Sequence, residues 1–538
     1  MSIVVCPQPL AAEAARDVLE AGGNAVDACV TAAVVQGVVD PLMCGFGGYG
    51  VMSVRTADGE VTTLDFFGRA PLAAVEGEHS DKLRSEFAYD YGFVLEGGEN
   101  EIGYGSIATP GTVAGLATAL ERFGSLPWAG VLEPALGVAT DGYLVTHANR
   151  EQWTSADGPD KPGAQTRLLY SEPGRAMFAP DGDLVAVGSR IRNGDLAETL
   201  RRLMKAGAAD FYTGEVGRAI AADLRAGGSA LTEADLTAFV PEVSAPLRGS
   251  YRGYGIAVPP LPSGGFSVLQ ALNVLEVLFP DGLPDWLSAD GVAGTADALV
   301  AAIGDKFTHL AGSRDTALPI DDLLSKEHAR ELAAALRAGA ADDENDTEPP
   351  STTHVAVVDA AGNAAAVTHT LASGSGVFTP GLGFMYNNFL HGYDPRPGRW
   401  NSLRPGGTRP ASMSPGFVTD AGGDLVGVFG ATGSTRIVTS IVQVLSHLID
   451  RSWDPHRAVS APRINAQRDG RIQLEGRFPS DVVRSLTAAG RPVQQHLRNY
   501  DSYFGKAHVL WNAHGAGWEG VADPRADGGT ALVATSPS

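Results

Sequence analysis

The spacing of apolar positions changes along the chain, and each change predicts an element. Val355-Ala356-Val357-Val358, entered from Ser351-Thr352-Thr353-His354 and closed by Asp359, belongs to an alternating apolar run that reads as a buried strand. Ala360-Ala361-Gly362-Asn363 supplies turn residues, so residues 364–371 read as the return strand of a hairpin. Two more strands are predicted at 51–54 and 61–65. A helix over 10–20 stops at Gly22-Gly23, and Asn24 can cap a second one with Ala25, Val26, Ala28, Cys29 and Ala32 on a face of small residues. Helical periodicity also covers 114–123, 131–141 and 197–206, and a helix is expected over 267–278. Residues 233–247 read as turn and strand, and Pro-rich 392–410 as a long irregular loop. The acidic segment 341–350, ending in Pro349-Pro350, packs poorly and reads as a linker.

Composition narrows the function classes. Among 538 residues, 44% hydrophobic and 19% charged describe a globular protein rather than a disordered one. A net charge of −22 argues against nucleic acid or an anionic membrane as partner, because both need basic patches. No leader pattern and no apolar run of membrane-spanning length is present, so a cytoplasmic protein is expected. Cys6, Cys29 and Cys44 are unevenly spaced and suit buried thiols better than a disulfide framework. The 12 histidines include no His-Glu-x-x-His and no close His/Cys cluster, so no metal is expected. His354, His369 and His391 read as surface or core residues rather than ligands. The glycine-rich Cys44-Gly45-Phe46-Gly47-Gly48-Tyr49-Gly50 precedes strands and lacks a following Lys-Ser/Thr. It is therefore not a phosphate loop, and no cofactor is expected.

A series of short motifs points further. Pro9-Leu10-Ala11, Gly22-Gly23-Asn24-Ala25-Val26-Asp27-Ala28, Thr109-Pro110-Gly111-Thr112 and Pro260-Leu261-Pro262-Ser263-Gly264-Gly265 come first. Thr352-Thr353-His354, Arg409-Pro410-Ala411-Ser412, Gly430-Ala431-Thr432-Gly433-Ser434-Thr435-Arg436 and Asp523-Pro524-Arg525 follow. Each is a turn motif of modest specificity, but in this order over nearly the whole chain they resemble the gamma-glutamyltransferase family of self-processing N-terminal-nucleophile hydrolases.

The resemblance implies an α/β (α+β) fold, a four-layer αββα sandwich of two mainly antiparallel sheets covered by helices. It implies autocatalytic cleavage between Ser351 and Thr352. Residues 1–351 and 352–538 would then be large and small segments of one heterodimeric domain, alone or as a dimer of heterodimers. Cleavage would free the Thr352 α-amine, which can take the proton of the Thr352 hydroxyl, so one residue supplies nucleophile and base. Ser351, Thr352 and Thr353 are chemically similar, and the family's Thr-Thr-His pattern is what selects Thr352. Thr370 matches the threonine that bonds the nucleophile, and Gly433 and Ser434 match a Gly-Gly oxyanion pair that works through backbone N–H groups.

The acyl pocket departs from the family. Phe67 replaces the arginine that grips the glutamyl α-carboxylate, and Arg69 follows two residues later. Ala372 replaces an asparagine, and His391-Gly392 replaces an acidic pair that meets the α-ammonium. Ala411 replaces the first serine of a pair, leaving Ser412. These readings predict a threonine acyl-transfer enzyme for a small-molecule substrate whose carboxylate or carbonyl meets Arg69 or His391. It would cleave a small acidic amide, or a C–C bond beside a ketone. Ordinary gamma-glutamyl hydrolysis is the second reading, and an inactive binding or scaffold protein the third.

Overall fold

Side-chain alternation along the strands sorts the interior into three apolar layers. In the hairpin of strands Thr353–Val358 and Ala364–Thr370, Val355, Val357, Ala365 and Val367 pack on one side. Ala356, Val358, Ala364 and Ala366 pack on the other, as a two-residue period demands. The first set meets helices Pro9–Glu20, Ala25–Val39, Thr112–Phe123 and Trp128–Asp141. The second meets Phe417, Val428 and Leu510 of a facing sheet. That sheet turns Val418, Phe429 and Val509 outward onto helices Gly265–Leu278, Ala289–Leu310 and Arg436–Ile449. The αββα order follows from these three contact sets.

The computed structural model describes residues 1–86, 92–158, 161–310, 318–336, 352–466, 470–512, 517–526 and 529–533. In the first sheet the strands run in the order Gly529–Val533, Ser2–Cys6, Thr353–Val358, Ala364–Thr370, Tyr49–Arg55, Val61–Phe66 and Glu242–Ser244. The second runs Glu519–Val521, Lys506–Trp511, Leu425–Thr432, Gly416–Thr419, Tyr254–Val258 and Leu247–Tyr251. Neighbours within both are antiparallel. The hairpin thus lies at the centre of its sheet, where Ala356 pairs Ala366 and Thr353 pairs His369.

Two elements differ from expectation. Helix Ala25–Val39 begins at Asn24, whose side chain accepts from the Val26 and Asp27 N–H groups, but it is buried around its whole circumference. Within 233–247 a short helix, Glu233–Thr237, precedes the strand. Asp235 nucleates it by accepting from the Thr232 N–H at 2.8 Å and hydroxyl at 2.7 Å, a local closure that polar turn composition hides. The acidic segment 341–350 and Ser351 lie outside the described residues. All three cysteines are free and buried. No helix among the described residues is long and apolar enough to cross a membrane.

Candidate active site

The two threonines of the hairpin mouth face each other. Register places Thr370 opposite Thr352, one step beyond the Thr353–His369 pair. Their Oγ1 atoms are 3.5 Å apart, and Thr370 Oγ1 also accepts the Ala372 N–H at 2.9 Å. The Thr352 N–H lies 3.2 Å from Met43 Sδ.

Alternation separates the neighbouring hydroxyls. Thr353 turns toward the helical layer, where Gln36 Nε2 donates to its Oγ1 at 3.0 Å and to Gln8 Oε1 at 2.7 Å. The opposite end of that amide, Gln36 Oε1, lies 2.9 Å from His369 Nε2. An amide oxygen only accepts, so His369 carries its proton on Nε2. Burial pushes its pKa down to about 3, which keeps the ring neutral. Gln8 Nε2 donates onward to Asp40 at 2.8 Å. Thr353 is thereby engaged in a buried network, while Thr352 forms part of a cavity wall.

That cavity has a volume of about 790 Å³. Thr352, Met43, Asp40 and Gln8 line it on the first-sheet side, and Thr432, Lys506 and Arg525 on the second-sheet side. Thr432 ends the strand Leu425–Thr432, and helix Arg436–Ile449 starts four residues on. Gly433 and Ser434 fill this junction with positive φ, +122° and +54°. The predicted oxyanion residues thus adjoin the cavity that Thr352 lines, at the positive end of a buried helix. Arg525 is fixed from behind by Glu475 at 2.5 Å and Asp523 at 3.1 Å. Arg525 and Arg463 hold the Asp523 carboxyl down at about 2 against its burial.

None of the five predicted substrate residues lines this cavity, although Ala372 stands beside Thr370. Phe67, fully buried, meets the Tyr49 ring edge-on at 6.0 Å, and Tyr49 contacts Phe389 at 4.2 Å. Ala372, Ala411 and Met413 belong to the same apolar cluster. His391 Nδ1 is 2.7 Å from the Asn388 carbonyl, and the Ser412 carbonyl accepts the Ser414 hydroxyl at 2.9 Å. Arg69 Nη1 donates to the Phe67 carbonyl at 3.1 Å and stands 3.8 Å from Asp65. Burial raises the Asp65 carboxyl to about 6, with Arg69 opposing that rise. The other guanidinium nitrogens of Arg69 make no hydrogen bond among the described residues.

The glycine-rich turn serves close packing, since a Cβ on Gly48 would stand 2.4 Å from the Thr370 carbonyl oxygen. Its glycines let the chain pass directly beneath the hairpin mouth. Gln8, Gln36 and Lys306 stand outside the sequence motifs. A lone glutamine in the otherwise apolar Val34-Val35-Gln36-Gly37-Val38 was the available signal for Gln36. Lys306 is buried with its Nζ 3.5 Å from the Ala411 carbonyl, and burial lowers its pKa to about 7. It reads as one more helical lysine in the sequence.

Known proteins resemble this chain along most of its length. The family model described as gamma-glutamyltranspeptidase matches residues 11–533. An acylase ACY 1 proenzyme from Pseudomonas sp. (strain V22) is 34% identical over 539 residues, covering 98% of this chain and 92% of that protein. A glutathione hydrolase proenzyme from Escherichia coli (strain K12) is 30% identical over 499 residues, covering 89% and 83%. Cephalosporin acylase from Bacillus halodurans superimposes with a TM-score of 0.87 at 28% identity, covering 99% of this chain and 96% of that one. The gamma-glutamyltranspeptidase of Helicobacter pylori gives a TM-score of 0.54 at 29% identity, covering 64% and 92%.

Proposed function

Because the chain belongs to the gamma-glutamyltranspeptidase family and is an N-terminal-nucleophile enzyme, we propose that it cleaves itself before Thr352 and then acts as a threonine acylase. Its substrates are small acidic amides without the α-ammonium of a glutamyl group. The observation that carries this reading is Thr352 itself, at the head of a central strand, 3.5 Å from Thr370 Oγ1 and on the wall of a cavity.

Maturation begins when Thr352 Oγ1 attacks the Ser351 carbonyl carbon. The amide becomes an ester as nitrogen leaves, and water then hydrolyses the ester. The products are a large segment ending at Ser351 and a small one beginning at Thr352. The new α-amine accepts the hydroxyl proton during attack on substrate. Gly433 and Ser434 donate backbone N–H groups to the oxyanion, an interaction typically worth a few kcal/mol in the transition state. The proenzyme names of the Pseudomonas and Escherichia coli relatives support processing.

The acyl side supports the substrate class. Phe67, Ala372 and Ala411 make an apolar cluster where a zwitterionic glutamyl group would lose water without gaining partners. Arg69 is the cation for a carboxylate, since Asp65 and Phe67 occupy only one edge of its fork. The acylase names among the relatives favour an amide over a C–C bond. The test is a denaturing gel with N-terminal sequencing, followed by an anilide panel. Two fragments, the smaller starting at Thr352, with hydrolysis of glutaryl anilide, are expected. An intact chain that is nonetheless active would overturn the mechanism.

A further inference from the structure

Away from the threonines, two histidines and a carboxylate converge between two helices. Asp305 and His309 stand one turn apart on Ala289–Leu310, and His328 comes from the first turn of Lys326–Ala335. One ligating atom from each lies within 4.8 Å of the others. We infer that Asp305, His309 and His328 bind a divalent transition-metal ion, zinc by its chemistry, that ties these two helices together.

His328 imposes the first constraint. Its Nδ1 is 3.2 Å from Glu331 Oε2 and its Nε2 is 3.1 Å from Asp305 Oδ2. Carboxylates only accept, so a neutral ring donating to Glu331 turns a bare lone pair toward Asp305. In that tautomer a metal ion fits between the nitrogen and the carboxylate, whereas a ring that donates from Nε2 to Asp305 needs none. His309 Nε2 reaches the other oxygen, Asp305 Oδ1, at 3.5 Å, so two nitrogens approach a single carboxylate. Gln270 Nε2 holds Asp305 Oδ2 at 2.6 Å, and the Ser325 side chain accepts the His328 N–H at 3.0 Å, fixing that backbone.

Bonds of about 2.0–2.1 Å in a tetrahedral site set donors roughly 3.3 Å apart. His328 Nε2 stands 3.1 Å from Asp305 Oδ2 and His309 Nε2 3.5 Å from Asp305 Oδ1, so each nitrogen is near that spacing from one of the two carboxylate oxygens. Two imidazoles and one carboxylate suit zinc, cobalt or nickel rather than magnesium or calcium, and water completes the fourth position. Glu331 then orients the His328 ring from behind, as carboxylates do for metal-bound imidazoles. Lys326–Ala335 is the last described helix before Thr352, so the ion would secure the last described helix of the proposed large segment. Sequence spacing concealed the set because only Asp305 and His309 share a helix face.

The experiment is a titration of chelator-stripped full-length protein with Co²⁺, read by visible absorption and calorimetry, then displacement with Zn²⁺. One equivalent should bind, with the absorption of a tetrahedral site, and zinc should raise Tm. His309→Gln and His328→Gln should each lose more affinity than Glu331→Gln, for which roughly 10–100-fold is expected. Circular dichroism of the stripped variants verifies that the fold is kept. Absence of saturable binding in the wild type overturns the inference and leaves a plain hydrogen bond between His328 and Asp305. Binding unchanged in both histidine variants overturns it equally.

Discussion

The imidazole rings of His354 and His508 lie parallel within 8°, their centroids 6.2 Å apart, in the seam between the two sheets. Gly430 makes room for them, because a Cβ there would fall 2.1 Å from the His354 ring. His508 Nδ1 accepts the Asp523 N–H at 3.2 Å, and His354 Nδ1 lies 2.9 Å from the Thr368 hydroxyl. Burial holds His508 down to about 4, His369 to about 3 and His354 well below its usual value. These are structural histidines, as expected for His354 and His369.

Acid sensitivity follows from that pairing. A histidine whose folded pKa is depressed stabilises the fold above its unfolded value, near 6.5, and loses that contribution as pH falls toward the folded one. At pH 5 each such group costs about 2 kcal/mol relative to neutral pH. Asp65, raised to about 6, acts in the opposite sense over the same range, but it is one group against four, since burial also holds His447 well below its usual value. Tm should fall by several degrees between pH 7.5 and pH 5, and His369→Gln should flatten the dependence. Equal melting at both pH values would refute this.

The three adjacent hydroxyls can be told apart by substitution. Thr352→Ala should remain a single inactive chain. Thr353→Val removes a hydroxyl held by Gln36 and Gln8, so it should lose about 1–3 kcal/mol of stability yet still be cleaved before Thr352. Sequencing of the small fragment decides, and failure of Thr353→Val to process while folded would move the nucleophile assignment.

Much of this architecture was legible because period-two alternation and turn chemistry act locally. The hairpin at 353–370, the Asn24 cap and the strand at 61–65 each rest on signals within a few residues. The placement of Gln36 against Thr353 and His369 was not legible, since contacts more than 300 positions apart leave no local trace. The mouth residues Thr352 and Thr370 were marked by motif alone. The direction in which Thr352 faces emerged only with the strand register.

Backbone geometry changes how the oxyanion pair must be tested. Ser434 has φ +54°, which costs an L-residue roughly 1–2 kcal/mol. Ser434→Gly should therefore retain kcat within several-fold and gain up to about 1 kcal/mol of stability. Ser434→Pro would force φ near −65° and break the junction as well as remove the donor, so its failure alone proves nothing. A large loss of kcat in a well-folded Ser434→Gly would show that the serine side chain, rather than its N–H, does the work.

Ala372 offers the sharpest test of substrate choice. Its N–H is bonded to Thr370 Oγ1, so it stands beside the residue that faces Thr352. It has φ +55°, a conformation asparagine tolerates better than alanine. An asparagine stands here in the family that the chain resembles, so Ala372→Asn should fold at least as well as the parent. Phe67→Arg should not, because Phe67 is fully buried against the Tyr49 ring. The wild type should cleave glutaryl anilide at least about 100-fold more efficiently than gamma-glutamyl anilide, a difference of about 2.7 kcal/mol in transition-state binding. Ala372→Asn should narrow that ratio about tenfold by raising kcat/KM for the gamma-glutamyl compound, one hydrogen bond's worth of selectivity. Equal turnover of both anilides by the wild type would mean that the pocket has rebuilt its ammonium site from other residues, and ordinary gamma-glutamyl hydrolysis would then stand.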